Sequence, residues 1–170
     1  MSDEKIWLVD EDDNPIKIIS RKDAKPGDIW RISTIWLFNE EGKVLIAKRA
    51  QSKSLHGGLW GPSVAGTTLA DEYPELTAVR EIEEEIGFKL SEKDLILIDK
   101  LFYIRDSETG RQATTFKAYC DLSEDQFTLQ ESEVEAVKWI SKDALLADVR
   151  LNPDKYLFDY ERLADVLQKI

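Results

Sequence analysis

The sequence predicts an α/β sandwich with a mixed sheet, and three observations carry that prediction. The chain has 170 residues, 42% hydrophobic and 34% charged, which suits one soluble globular domain with a proper core. Its apolar segments are mostly short and bounded by turn residues, as strands are. Helical patterns are few, and the clearest of them, over residues 71–86, lies between strands, which favours a sandwich over a doubly wound sheet.

The elements follow in order. Segments 6–9 and 16–19 flank the turn-rich run Asp10 to Pro15 and predict an N-terminal hairpin at about 5–21. Segments 30–38 and 43–49 form a second pair around Asn39-Glu40-Glu41-Gly42. Residues 59–67 are extended but irregular. Strands are expected over 95–104 and 112–122, joined across Asp106-Ser107-Glu108-Thr109-Gly110, with Phe116, Ala118, Cys120 and Leu122 sharing one face. Another strand covers 134–140, and Ser141 N-caps a short helix after it. Pro153 opens a C-terminal helix at about 153–169, whose stripe of Leu157, Tyr160, Ala164, Leu167 and Ile170 packs on the core. A homodimer through that stripe is the alternative. The whole of residues 1–170 is expected to form a single domain.

Charge and composition exclude several classes. A formal net charge of −11, with no run of basic residues longer than two, disfavours a nucleic-acid polymer as partner. The same field repels small anions, so an enzyme for them needs a metal or a local basic cluster. The longer apolar runs are too short to span a bilayer, so no membrane partner is expected. One cysteine, Cys120, permits no internal disulfide, and the first residues lack a signal-peptide pattern, so a cytoplasmic location is expected.

In the 71–86 helix Pro74 suits the first turn and Gly87 the left-handed position after the end. Leu76, Val79, Ile82 and Ile86 are expected to be buried, with Glu83 toward that stripe and Glu81, Glu84 and Glu85 together on the opposite side. Carboxylates in the last turn face the negative end of the helix dipole, and like charges at i, i+4 add about 0.2–0.5 kcal/mol of repulsion per pair. Arg80 relieves part of this. A divalent cation would relieve it directly, because clustered oxygen ligands are what magnesium or manganese binds.

Gly66, Glu72, Arg80-Glu81-Ile82, Glu84-Glu85 and Gly87-Phe88 resemble the Nudix box, G-x5-E-x7-R-E-U-x-E-E-x-G-U, at every fixed position across residues 66–88. The resemblance implies the family's α/β/α sandwich and Mg2+-dependent hydrolysis of a diphosphate bond (Mn2+ as the alternative) in a small-molecule diphosphate such as a nucleoside diphosphate derivative. By position it implies Glu81, Glu84 and Glu85 as metal ligands, joined by the backbone carbonyl of Gly66. Arg80 orients them, and Glu72 is a supporting acid. The general base is Glu81 or a glutamate after the box among Glu131, Glu133 and Glu135, with Glu133 favoured.

The N-terminal half is similar to the isopentenyl diphosphate isomerase branch, in Val9-Asp10, Arg21, Gly27, Arg31 and residues 48–53 before Leu59-Trp60. That similarity implies Arg49 and Lys53 as diphosphate-binding residues. The isomerases use a cysteine just before the box and a histidine-rich metal site. Here Trp60-Gly61-Pro62-Ser63-Val64-Ala65 holds neither, Cys120 lies far along an apolar strand, and His56 is the only histidine. Hydrolysis is therefore expected over isomerisation. A non-catalytic binding module is also disfavoured, since such modules usually lose box glutamates.

Overall fold

The computed structural model describes residues 4–105 and 109–169. Asp106, Ser107 and Glu108 of the expected turn, and Ile170 of the expected helix stripe, lie outside the described residues.

Among the described residues nine strands form one mixed sheet around β3 (Ile29–Phe38). The hairpin of β1 (Lys5–Val9) and β2 (Pro15–Ser20) joins β3 through Leu8 and Trp30. Strand β4 (Val44–Arg49) meets the far end of β3 at Phe38 and Val44, and carries the short β5 (Trp60–Gly61). Strand β6 (Val64–Thr67) runs antiparallel to β3, setting Gly66 opposite Ser33. Strand β7 (Ile96–Arg105) pairs antiparallel with β8 (Thr109–Tyr119). Strand β8 in turn runs parallel to β3 along its whole length, from Ile29 and Gly110 to Phe38 and Tyr119. Strand β9 (Val134–Ile140) closes against β4.

Helix α1 (Pro74–Ile86) covers one face, and α2 (Lys142–Leu151) and α3 (Tyr160–Gln168) cover the other. Strand alternation divides the core accordingly. Ile35, Leu37, Leu45 and Ala47 pack under α1, while Trp36, Phe38, Val44 and Ile46 pack under α2 and α3. A strand buried on both faces needs apolar residues at every position, which is why 44–47 is a continuous apolar run. Cys120 is buried in the α1 core, and burial pushes its thiol above the ordinary range.

Two expectations are corrected. The C-terminal helix begins at Tyr160, after a separate helical turn at Pro153–Lys155, and its buried residues are Leu163, Val166 and Leu167. The Leu157 amide donates to the Trp60 carbonyl at 2.8 Å, holding that stretch along β5, so a helix cannot start until Asp159 caps it. The second correction concerns α1. Its buried residues are Thr77, Ala78, Ile82 and Ile86, whereas Leu76 is 37% exposed and Val79 half-buried. Thr77 and Ala78 face β6 and β3, and Glu81 and Glu85 follow Thr77 by four and eight residues, so they share that inward face. Glu83 is correspondingly on the outside, with its side chain 53% exposed and paired to Lys89.

Candidate active site

Helix α1 is delimited as its sequence dictates. Pro74 occupies the first turn, and Gly87, at φ 69°, ends the helix by donating its amide to the Glu83 carbonyl. Arg80 is the hub of the polar face. Its Nε and Nη2 make a fork onto Glu72 at 2.6 and 3.0 Å, and its Nη1 reaches Glu81 at 2.9 Å and Glu84 at 3.1 Å. Nη2 also donates to the Thr67 carbonyl, which ties the helix to β6. Glu72 is almost wholly buried. Burial alone would raise its pKa, but hydrogen bonds from Arg80, Thr77 and the Leu69 amide outweigh that and hold it below the usual range.

Gly66 belongs where it is because of Glu81. A Cβ at Gly66 would run into the Glu81 carboxylate, so only glycine lets that side chain lie against β6. The Glu81 side chain is 14% exposed, and burial raises its pKa despite the opposing pull of Arg80. Glu85 goes further. Burial first, then the charges of Glu81 and Glu133, push it up to about 8, against the counter-pull of Arg49 and Lys53. Glu84 is the outer member, its side chain 54% exposed.

Glu81, Glu84, Glu85, Gly66 and Arg80 share a cleft of about 310 Å³ with Arg49, Lys53 and Glu133. Lys53 donates to Glu133 at 2.6 Å, although 80 residues separate them. The Ala50 amide donates to the Glu133 carbonyl, locking the two loops together. Of the three post-box glutamates only Glu133 enters the cleft. Glu131 is exposed and Glu135 pairs with Lys48. The same cleft also holds Arg111, Trp30 and Arg21, the last of them part of the branch resemblance. Arg111 and Trp30 are paired across β3 and β8, a long-range neighbourhood with no local sequence signal.

A second cleft, of about 320 Å³, opens beside the first and shares Ile32, Ala65 and Leu157 with it. Trp36, Phe158, Leu163 and Val166 give it an apolar part, beside the polar Thr34, Thr115, Asp159 and Arg162. Tyr156 also lines it, but its hydroxyl donates to Asp148 on α2. Asp159 caps α3, and the Arg162 guanidinium lies over the Tyr103 ring at 3.8 Å. His56 borders this cleft and not the glutamates.

The donor set around Glu81 and Glu85 is all oxygen, and their raised pKa values record burial of the carboxylates first and repulsion from neighbouring glutamates after it. Those are the conditions a hard divalent cation satisfies. In the arrangement seen Arg80 engages Glu81 and Glu84, and among the described residues no three His, Cys, Asp or Glu side chains stand together in a group that could hold a metal ion. No helix among the described residues is long and apolar enough to cross a membrane.

A mixed sheet between helices thus carries an arginine-bound glutamate cluster on the helix that follows β6. The chain belongs to the Nudix hydrolases: a family model described as the NUDIX domain matches residues 29–160. An uncharacterised Nudix hydrolase of Pseudomonas aeruginosa is 30% identical over 88% of this chain and 86% of its own length. The prenyl-diphosphate phosphatase of Methanosarcina mazei is 31% identical over 87% of this chain and 85% of its own. An isopentenyl-diphosphate Delta-isomerase from Pectobacterium atrosepticum is 24% identical over 89% of this chain and 84% of its own, in keeping with the branch resemblance. Among solved structures, DR0079 of Deinococcus radiodurans shares the fold, with a TM-score of 0.75 at 21% identity over 95% of this chain and 98% of that one. Diphosphate hydrolysis is the general chemistry these relationships support, and the family generally uses divalent metals, typically magnesium.

Proposed function

We propose that this chain hydrolyses the phosphoanhydride bond of a nucleoside diphosphate derivative or a related small diphosphate, by water attack at phosphorus. The observation that carries it is the convergence of Glu81, Glu84 and Glu85 with Arg49 and Lys53 in one cleft, in a chain whose net charge is −11. Magnesium, with manganese as a substitute, would be held by the three glutamates and the Gly66 carbonyl, and would supply neutralisation of phosphate charge and a water of lowered pKa. Arg80, fixed by Glu72, keeps Glu81 and Glu84 in register. Arg49 and Lys53 bind the diphosphate and exclude wrong orientations. Glu133 accepts the proton of the attacking water, with Glu81 as the other candidate. Residues 1–170 act as one cytoplasmic domain, with no polymer or membrane partner, and a homodimer is compatible with this site.

A second reading of the substrate is favoured by the apolar part of the adjoining cleft, at Trp36, Phe158, Leu163 and Val166, and by the activity for which the Methanosarcina relative is named. In it the group attached to the diphosphate is a prenyl or similar apolar chain. The deciding experiment is a panel of nucleoside and isoprenoid diphosphates, assayed with magnesium and with excess EDTA and resolved by product. Metal-dependent release of phosphate products supports the hydrolase. Allylic isomerisation without release would assign the isomerase reaction instead, and binding without turnover would assign a binding module.

A further inference from the structure

We propose that Arg111, laid over Trp30, forms with Arg21 a second phosphate subsite, so that a diphosphate is gripped by basic pairs at both ends of the cleft. The subsite shares its cleft with the site of the proposed function and rests on that reading only for its location.

Four basic side chains other than Arg80 line this cleft, and they fall into two groups. Arg49 and Lys53, at the end of β4 and the turn after it, act electrostatically on Glu85, and Lys53 is bound to Glu133. Arg111 belongs to the other end, and Arg21 lines the same cleft. Arg111 is the register partner of Trp30, which precedes by two residues the Ile32 that pairs with Thr67. Thr67 is the residue whose carbonyl receives Arg80, so this end lies on the Arg80 side of the glutamates. The glutamates thus share the cleft with Arg49 and Lys53 near Glu85 and with Arg111 toward the Arg80 side. That order matches a chain of phosphates whose middle is neutralised by a cation and whose ends need separate counter-charges.

Arg111 is built for such a role. Its guanidinium carbon lies 3.4 Å from the Trp30 ring centroid, and Nη1 is fixed by Thr109 Oγ1 at 2.9 Å and the Gly110 carbonyl at 2.8 Å. The residue is only 8% exposed, and Trp30 7%. An arginine cannot escape burial by deprotonation, so its charge stays fixed beside the cleft at any working pH. Stacking covers one face and the hydrogen bonds fix the plane, so little rotamer freedom remains to be lost when an anion arrives. Arg21 completes the pair from the end of β2. It is half-exposed and held by Glu4 at 2.7 Å, a solvent-screened contact that a phosphate can compete with.

The test is binding, measured calorimetrically with the full chain in magnesium, so that it needs no turnover. The probes are methylenebisphosphonate, a diphosphate that cannot be hydrolysed at its bridge, and methylphosphonate, which can occupy one subsite only. Arg111→Ala should weaken the bisphosphonate at least tenfold and methylphosphonate less than threefold, on the usual scale for a charge-assisted contact. Arg111→Lys, which keeps the charge without the fork, should fall between wild type and alanine. Arg21→Gln, at an exposed position that puts the fold at no risk, should weaken the bisphosphonate about threefold to tenfold. Bisphosphonate affinity unchanged in folded Arg111→Lys and Arg21→Gln would overturn the proposal, and a lowered Tm with unchanged affinity would leave Arg111 a purely structural clamp on Trp30. Equal weakening of both probes would also overturn it, as a general field effect. Absence of magnesium-dependent hydrolysis alongside the expected binding pattern would refute the proposed reaction and leave the subsite standing.

Discussion

Replacing Glu85 by glutamine should stabilise the metal-free protein at pH 8 while abolishing most of kcat. In the folded chain burial, then Glu81 and Glu133, push this carboxyl from the usual 4.5 up to about 8. Between those two values the unfolded chain has released the proton and the folded chain has kept it. The folded state therefore binds more protons there, and wild-type stability falls as pH rises through that window. A change from 4.5 to about 8 is worth at most about 5 kcal/mol above pH 8, at about 1.4 kcal/mol per tenfold change in protonation. Water reaching the open side of the cleft screens much of that, leaving about 2 kcal/mol. For a chain of this length the gain is about 4–8 °C in Tm. Glutamine has no such proton, so the advantage of Glu85→Gln should vanish toward pH 4.5 and reach full size above pH 8. Thermal unfolding in excess EDTA across that range measures it directly. With magnesium the order should narrow or reverse, since an ion at a hundredfold excess over its Kd stabilises the wild type by about 2.7 kcal/mol and has lost a ligand in the variant. A variant less stable than wild type at pH 8 without metal, or a difference that ignores pH, would refute the reasoning.

Four further outcomes follow from the same geometry. Gly66→Ala places a methyl group into the Glu81 carboxylate, so kcat should drop at least a hundredfold by the ordinary effect of misplacing a catalytic group, while circular dichroism stays native. Arg49→Ala and Lys53→Ala should chiefly raise KM, as loss of uniform binding does, and unchanged kinetics in both would return them to a solvated loop. Glu84→Gln should lose most of kcat with little effect on Tm, because its side chain is half in solvent. Glu83→Gln is the control: it faces outward against Lys89, so kcat should stay within about threefold of wild type, and an equal loss at Glu83 and Glu84 would mean general electrostatics and not ligation.

Much of this arrangement was legible in the chain because it is local. Pro74 and Gly87 bound α1 through their backbone limits, Ser141 caps α2 through its side chain, and the i, i+3, i+4 spacing puts Glu81, Glu84 and Glu85 on one flank. Which part of that flank meets the sheet was not local. Leu76 and Val79 are apolar and at helical spacing, yet the helix rests on Thr77 and Ala78. That rotation makes Glu85 the deep carboxylate, Glu84 the wet one and Glu83 an outward residue. The C-terminal helix shows the same division, since its late start depends on a contact between Leu157 and Trp60 almost a hundred residues away.

The sequence by itself determined the class of fold, the bounds of α1 and the grouping of its glutamates, because periodicity and capping act within a few residues, while the chemistry expected of those glutamates came from the family resemblance. Tertiary structure alone decided that Lys53 meets Glu133 and that Arg111 lies on Trp30. It also decided that Glu133, and not Glu131 or Glu135, enters the cleft. Those pairings depend on strand register and loop closure across tens of residues, where no short-range pattern constrains the chain, and they are what sets basic side chains around an acidic helix in one cleft.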